Sequence, residues 1–147
     1  MARSIIAVIV SYIAMFALTF IFFTGFYLVV GADGAFKPGN YEATSLWLAV
    51  SFVGFLVVGI IAGLLCAVIA KGGRAPIALA VVVLALGFLL AIPTLIANKV
   101  EPNLVRSGPV SIMDAMQRAK QPAWTAFAFP FIGAAGVLIG GRLKRRS

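Results

Sequence analysis

Side chains that could carry chemistry are scarce in the apolar part of this chain. The 147 residues include no histidine, one cysteine and four acidic residues. The deepest polar side chains in the apolar stretches are six hydroxyls and one thiol: Ser11, Tyr12, Thr19, Thr24, Ser51, Cys66 and Thr94. A hydroxyl inside a helix commonly bonds to the carbonyl one turn earlier, so we expect structural roles for them. Since they supply no nucleophile–base pair, we expect the protein not to be an enzyme.

The same counts exclude several cofactor sites. A single cysteine without histidine cannot form an intrachain disulfide, a thioredoxin-like CxxC, a zinc finger or a histidine-ligated haem site. We therefore expect no metal and no cofactor. No ionisable residue lies at mid-bilayer depth, which argues against a proton relay or an acidic drug-export site. Cys66 is predicted to be a small apolar filler, with a nucleophile as the alternative. Its depth near the interface would also allow palmitoylation, which no other feature supports.

Small residues recur at helical spacing in two of the apolar stretches. One stretch contains Gly59, Gly63 and Ala67, and the other contains Gly133, Gly136 and Gly140. Such ladders let two helix backbones approach closely in a membrane. They predict packing between the second and fourth apolar stretches, with a homodimer surface as the alternative.

Aromatic residues form a stripe along the first apolar stretch. Their spacing is three or four residues, and the stripe consists of Tyr12, Phe16, Phe20, Phe23 and Tyr27. A small bundle cannot bury so many rings from one helix. We therefore expect part of the stripe to face lipid or another membrane protein.

Two prolines lie within later apolar stretches. Pro93 and Pro130 each remove a backbone hydrogen bond and are predicted to bend their helices. With Trp124, they would bound an outward-facing cavity, as broken helices do in transporters.

A basic cluster follows the last apolar stretch directly and comprises Arg142, Lys144, Arg145 and Arg146. Basic residues in this position fix membrane topology and attract anionic lipid headgroups. The net charge of +8 does not indicate nucleic-acid binding, because these cations are held at the membrane and no nucleic-acid-binding motif accompanies them.

The elements that position these residues are four predicted membrane spans. Apolar residues make up 63% of the chain, and a span needs about 20 of them in helical form. The predicted spans cover residues 4–30, 43–70, 76–97 and 122–141. They predict one all-α domain, a four-helix transmembrane bundle. The first run is too long for a signal peptide, so we expect it to be retained.

The connections between the spans carry further expectations. The short link at residues 71–75 predicts that spans two and three pack as an antiparallel hairpin. The external loop at residues 98–121 contains Ser111–Lys120, which is predicted to form a short interfacial helix. Seven basic residues and no acidic residue lie on one side of the membrane. Both termini are therefore predicted to be cytoplasmic.

Three segments, Asp114–Gln117, Gln121–Trp124 and Ile132–Gly141, resemble small uncharacterised four-span proteins of the bacterial inner membrane. This resemblance brings no activity with it. The first hypothesis is a structural or accessory subunit that packs against a larger bacterial membrane complex. The alternative is binding or transport of a lipid or small apolar molecule between spans three and four. Expected partners are membrane lipids and either a larger membrane complex or a second copy of the chain, and not nucleic acid.

Overall fold

The protein is a bundle of long apolar helices. The computed structural model describes residues 1–36, 43–71, 73–100 and 123–146. The helices in these ranges are α1 (Ala2–Ala35), α2 (Ser45–Ala70), α3 (Ala75–Val100) and α4 (Ala123–Arg146). Each contains a segment long and apolar enough to cross a membrane. Within the described ranges the only β-type pairing is an isolated bridge between Phe36 and Ala43. The predicted all-α four-helix transmembrane bundle is confirmed.

Some predictions fall on other parts of the chain. The expected interfacial helix Ser111–Lys120 lies outside the described residues. So do three of the four acidic residues, Glu42, Glu101 and Asp114. The fourth, Asp33, is exposed in the last turn of α1.

The span within α1 ends at a glycine. Gly31 has φ 68° and ψ −176°, a backbone conformation outside the helical region. A residue with a side chain rarely adopts such a positive φ, so glycine suits this position. The apolar run therefore stops at residue 31, close to the predicted end at residue 30. One further turn leads to Ala35.

Thr44 joins the end of α1 to the start of α2. Its hydroxyl accepts a hydrogen bond from the Trp47 backbone N–H at 3.2 Å, which makes Thr44 the N-cap of α2. The same hydroxyl donates to the Gly34 carbonyl at 2.7 Å. The Thr44 backbone N–H donates to the Ala35 carbonyl at 2.9 Å. One side chain thus serves backbone groups that the ends of both helices leave unpaired.

The link between α2 and α3 is a tight reversal. Lys71 caps α2 in the left-handed conformation, with φ 55° and ψ 41°, and its N–H points to the carbonyls of Ala67 and Val68. Gly73 follows with φ 89°. Both conformations turn the chain within a few residues, so α3 begins at Ala75.

The helices are not arranged around the bundle in chain order. The contact between α2 and α4 is the most extensive, followed by those of α3 with α4 and of α1 with α2. The contact between α2 and α3 is the smallest. The predicted antiparallel packing of spans two and three is therefore present only as a minor contact beside the short link. The reason is that each of the two helices packs mainly against α4.

Small residues dominate the centre of the bundle. The buried cluster joins Ala7 and Met15 of α1 to residues of the other three helices: Val58, Ala62, Cys66, Ala75, Leu79, Ala80, Val83, Ala134 and Val137. Few of these side chains are large, so the helix axes lie close together. Interior dispersion contacts then replace the contacts that each helix would make with lipid.

Replacing Thr44 tests the junction of α1 and α2. Thr44→Ala removes the N-cap and the bond to Gly34, so we expect the free energy of unfolding to fall by about 1–2 kcal/mol. Titration of the detergent-purified protein with a denaturing detergent, followed by circular dichroism, measures this. Thr44→Ser keeps the hydroxyl and serves as the control. Equal losses for both variants would contradict the capping role.

Candidate functional site

Backbone-to-backbone contact joins α2 and α4. A Cβ atom built on Gly59 would lie 2.7 Å from the Gly133 carbonyl oxygen. One built on Gly136 would lie 2.6 Å from the Leu56 carbonyl oxygen. Real Cβ atoms do not approach an oxygen so closely, so only glycine permits this helix separation. The two backbones touch here without side chains between them.

The same contact recurs one turn further along the pair. A Cβ on Gly63 would meet the Val137 carbonyl, and one on Gly140 would meet the Ile60 carbonyl. The relation is reciprocal at both levels, since each glycine faces the carbonyl three residues before its partner glycine. Because α2 and α4 run parallel, this is the geometry of a parallel small-xxx-small helix pair. Cα–H···O contacts accompany such packing and add weakly to it.

Two other residues of the predicted ladder have different neighbours. A Cβ on Gly133 would lie 3.2 Å from Met15 Cε and 3.3 Å from Val83 Cγ1, so this glycine makes room for α1 and α3. Ala67 is buried near the end of α2. The six predicted packing residues therefore divide between the α2–α4 contact and the rest of the core.

A repeated pattern in α2 and α4 explains the register and was missed in the sequence analysis. Both helices read Trp-x-Ala-x-x-Phe, then six residues, then Gly-x-x-x-Gly, from Trp47 to Gly63 and from Trp124 to Gly140. The equivalent rings of Phe52 and Phe129 lie 5.1 Å apart. Aligning the sequence of the second span with that of the fourth would have shown which glycines contact the other helix at the same level.

The aromatic stripe of α1 divides into two parts. Phe23 lies 5.7 Å from the Trp47 ring and 5.9 Å from the Phe55 ring. Tyr27 is only 8% exposed and packs edge-on against Trp47 at 6.2 Å. These contacts place that end of the stripe inside the bundle.

The earlier part of the stripe is more open. Phe16 is 70% exposed and Phe20 is 52% exposed, whereas Tyr12 packs partly buried against the core. The stripe is thus not one surface, because the large side chains of α2 reach only its later rings. The outward rings are Phe16 and Phe20.

The predicted cavity between the third and fourth spans is not open at the level of Pro130. Pro130 is buried, and a Cβ built on Gly87 of α3 would lie 2.6 Å from Pro130 Cγ. The proline ring therefore occupies the space that Gly87 leaves free, and α3 and α4 are in contact there. Pro93 is exposed. Trp124 is 57% exposed and contacts Phe52 at 5.6 Å.

Hydroxyl groups in the spans follow the expected pattern in two cases. Thr19 donates to the Met15 carbonyl at 2.8 Å and Ser51 to the Trp47 carbonyl at 2.6 Å. Ser11 is fully buried beside the Cys66 thiol. The residues described contain no group of three His, Cys, Asp or Glu side chains that could hold a metal ion.

Basic residues collect at one end of the bundle. Arg3 of α1 donates from Nε to the Ile69 carbonyl near the end of α2 at 2.9 Å. A Cβ on Gly141, near the end of α4, would lie 2.6 Å from Pro76 at the start of α3. These two contacts place seven exposed basic residues at the same end: Arg3, Lys71, Arg74, Arg142, Lys144, Arg145 and Arg146.

Comparisons with protein-family models, with curated proteins and with solved structures found no match. The function proposed for this protein is therefore argued from its own surfaces.

Adding a methyl group at a ladder glycine tests the α2–α4 contact. In Gly63→Ala the new Cβ collides with the Val137 backbone, so we expect the free energy of unfolding to fall by about 1–3 kcal/mol. Denaturing-detergent titration of the purified protein measures this. The matched control is Gly25→Ala, because a Cβ on Gly25 meets nothing within 4 Å. We expect that variant to keep or slightly gain stability. Equal effects for both would exclude a tight contact at Gly63.

Proposed function

We propose that the chain is a structural or accessory subunit of a larger complex in the bacterial inner membrane. The surface that carries this proposal is the outer face of α1, which we define as Ile9, Ile13, Phe16 and Phe20. These four residues share one side of the helix at spacings of three and four, and all are exposed. The proposed occupant of this face is an apolar helix of another integral membrane protein.

The position of α1 supports an external partner. α1 packs against α2 and α3, whereas its described residues form no backbone-level contact with α4. The inward side of α1 carries Ala7, Ser11 and Met15, which are buried. Up to Phe20 the opposite side is apolar and uncovered. Further along that side, Phe23 and Tyr27 pack against α2, so the face available to a second helix lies before them.

The outer face offers a second helix a broad apolar contact. Phe16 and Phe20 project from it and are 70% and 52% exposed. Large flat rings give extensive contact area, and the neighbouring Ile9 and Ile13 extend it along the same side. These uncovered rings, on the side of α1 opposite its buried residues, are the single observation on which the proposal rests.

Transport of a lipid or small apolar molecule between α3 and α4 has less support. The contact of Pro130 with Gly87 fills the interface where such a cavity was expected. We therefore favour the subunit role.

Photo-crosslinking in intact membranes tests the proposed partner. A benzophenone amino acid at Phe16 or Phe20 is expected to yield a discrete protein adduct of higher mass. The same probe at Leu89, an exposed residue of α3, is the control and should yield lipid adducts. With the probe at Phe20, adding Phe16→Ala should lower the yield of the protein adduct without lowering the stability of the purified chain, because Phe16 is 70% exposed and lies outside the core.

The outcome that overturns the subunit role is equally specific. Lipid adducts alone at Phe16, Phe20 and Leu89, together with a single monomeric species after mild-detergent purification, would contradict it. An adduct between two copies of this chain would instead identify a homo-oligomer and would also contradict the larger complex.

The proposed orientation places both termini in the cytoplasm, supported by the seven basic residues at one end of the bundle. Because Cys66 is the chain's only cysteine, Cys66→Ala gives a background for single-cysteine labelling. We expect Asp33→Cys to react with a membrane-impermeant maleimide in spheroplasts. Arg74→Cys should react only after the membrane is permeabilised. The reverse labelling pattern would show that both termini lie on the opposite side of the membrane.

A further inference from the structure

The end of α4 that we propose to be cytoplasmic carries three arginines whose positive charge is not balanced by acidic residues nearby in the sequence. α4 continues as regular helix to Arg146, with basic residues in its last turn. None of the four acidic residues of the chain lies after position 114. Arg142, Arg145 and Arg146 are all exposed. Their charge is therefore not neutralised by any neighbour along α4.

Helical spacing determines which way these arginines face. Residues three and four apart share a helix face, so Arg142, Arg145 and Arg146 form one patch, called here the arginine face. Gly140 meets Ile60 and Leu64, which marks the side of α4 turned to α2. Arg142 follows Gly140 by two residues, or roughly 200° of rotation. The arginine face is thus turned away from α2 and out of the bundle.

Lys144 belongs to the other side of the helix. It follows Gly140 by one turn and so lies on the side of α2. The basic cluster that the sequence presents as one unit is therefore divided by the helix into an arginine face turned away from α2 and an exposed lysine on the side of α2.

A neighbouring apolar side chain sets the depth of the arginine face. Leu143 lies within the same turn and is 49% exposed, as expected for a residue that contacts acyl chains. Long arginine side chains beside it extend from the acyl boundary toward the headgroup layer. Guanidinium groups bind phosphate oxygens in a bidentate manner, which ammonium groups cannot do.

We propose that the arginine face binds the phosphate of an anionic phospholipid in the cytoplasmic leaflet. The lipid lies against the outer side of α4, with its acyl chains along Leu143 and its phosphate between Arg142, Arg145 and Arg146. This site is separate from the outer face of α1 and does not depend on the subunit role.

Native mass spectrometry of the detergent-purified full chain tests this site with charge-matched variants. The probes are short-chain phosphatidylglycerol, phosphatidylcholine of the same chain length, and inorganic phosphate. Attraction of anionic lipid is worth roughly fivefold per basic residue. We expect Arg142→Gln/Arg146→Gln to lower phosphatidylglycerol affinity by about 20-fold at low salt. Lys71→Gln/Lys144→Gln removes the same charge and should change it by less than about threefold.

Each alternative outcome overturns the proposal. Equal losses in the two double variants would indicate a diffuse field from the whole basic end. Equal retention of phosphatidylcholine and phosphatidylglycerol by the unmodified chain would exclude an anion-selective site. Displacement of phosphatidylglycerol by equimolar inorganic phosphate would identify a free-phosphate site instead. Since the arginines lie outside the core, an unchanged unfolding transition in both variants is the check that each remains folded.

Discussion

The direct contact of two helix backbones in α2 and α4 governs the positions of the other helices. In hydrocarbon, apolar side chains gain little by leaving lipid for protein, so helices associate through close van der Waals contact. Four glycines provide that contact here: Gly59, Gly63, Gly136 and Gly140. Once α4 lies against α2 at this distance, an adjacent side of α4, about 100° around the helix, is available to α3. Gly87 and Pro130 then complete the second interface.

The position of α1 follows from different interactions. At one end Thr44 binds the last turn of α1 to the first turn of α2. Along the span, Phe23 and Tyr27 pack against Trp47, while Ala7 and Met15 enter the core. The side of α1 that faces the bundle therefore changes along its length, from Ala7 and Met15 to Phe23 and Tyr27. Phe16 and Phe20 remain outside the bundle, and that surface is where a functional partner is proposed to bind.

The sequence was sufficient to predict the spans because the cost of unpaired backbone groups in lipid requires helices, whatever the details of packing. The close-packing glycines were also predictable, since few residues allow such an approach. Packing between particular helices was not predictable in the same way. The short link from Lys71 to Gly73 suggested that α2 and α3 would pack together, but connection constrains only one end of a helix pair. The division of the aromatic stripe depends on Trp47 and Phe55, which lie on another helix, so spacing within α1 alone could not reveal it.

The parallel contact between α2 and α4 has a consequence for how the protein is made. α2 is synthesised well before α4, with α3 and a long connection between them, so its glycine face has no partner during that interval. At ribosomal rates of roughly 5–20 residues per second, the wait lasts several seconds. During this time lipid or the insertion machinery must cover Gly59 and Gly63. The last helix to be inserted is therefore the one that completes the core, and the earlier spans form a provisional assembly that α4 converts into the final bundle.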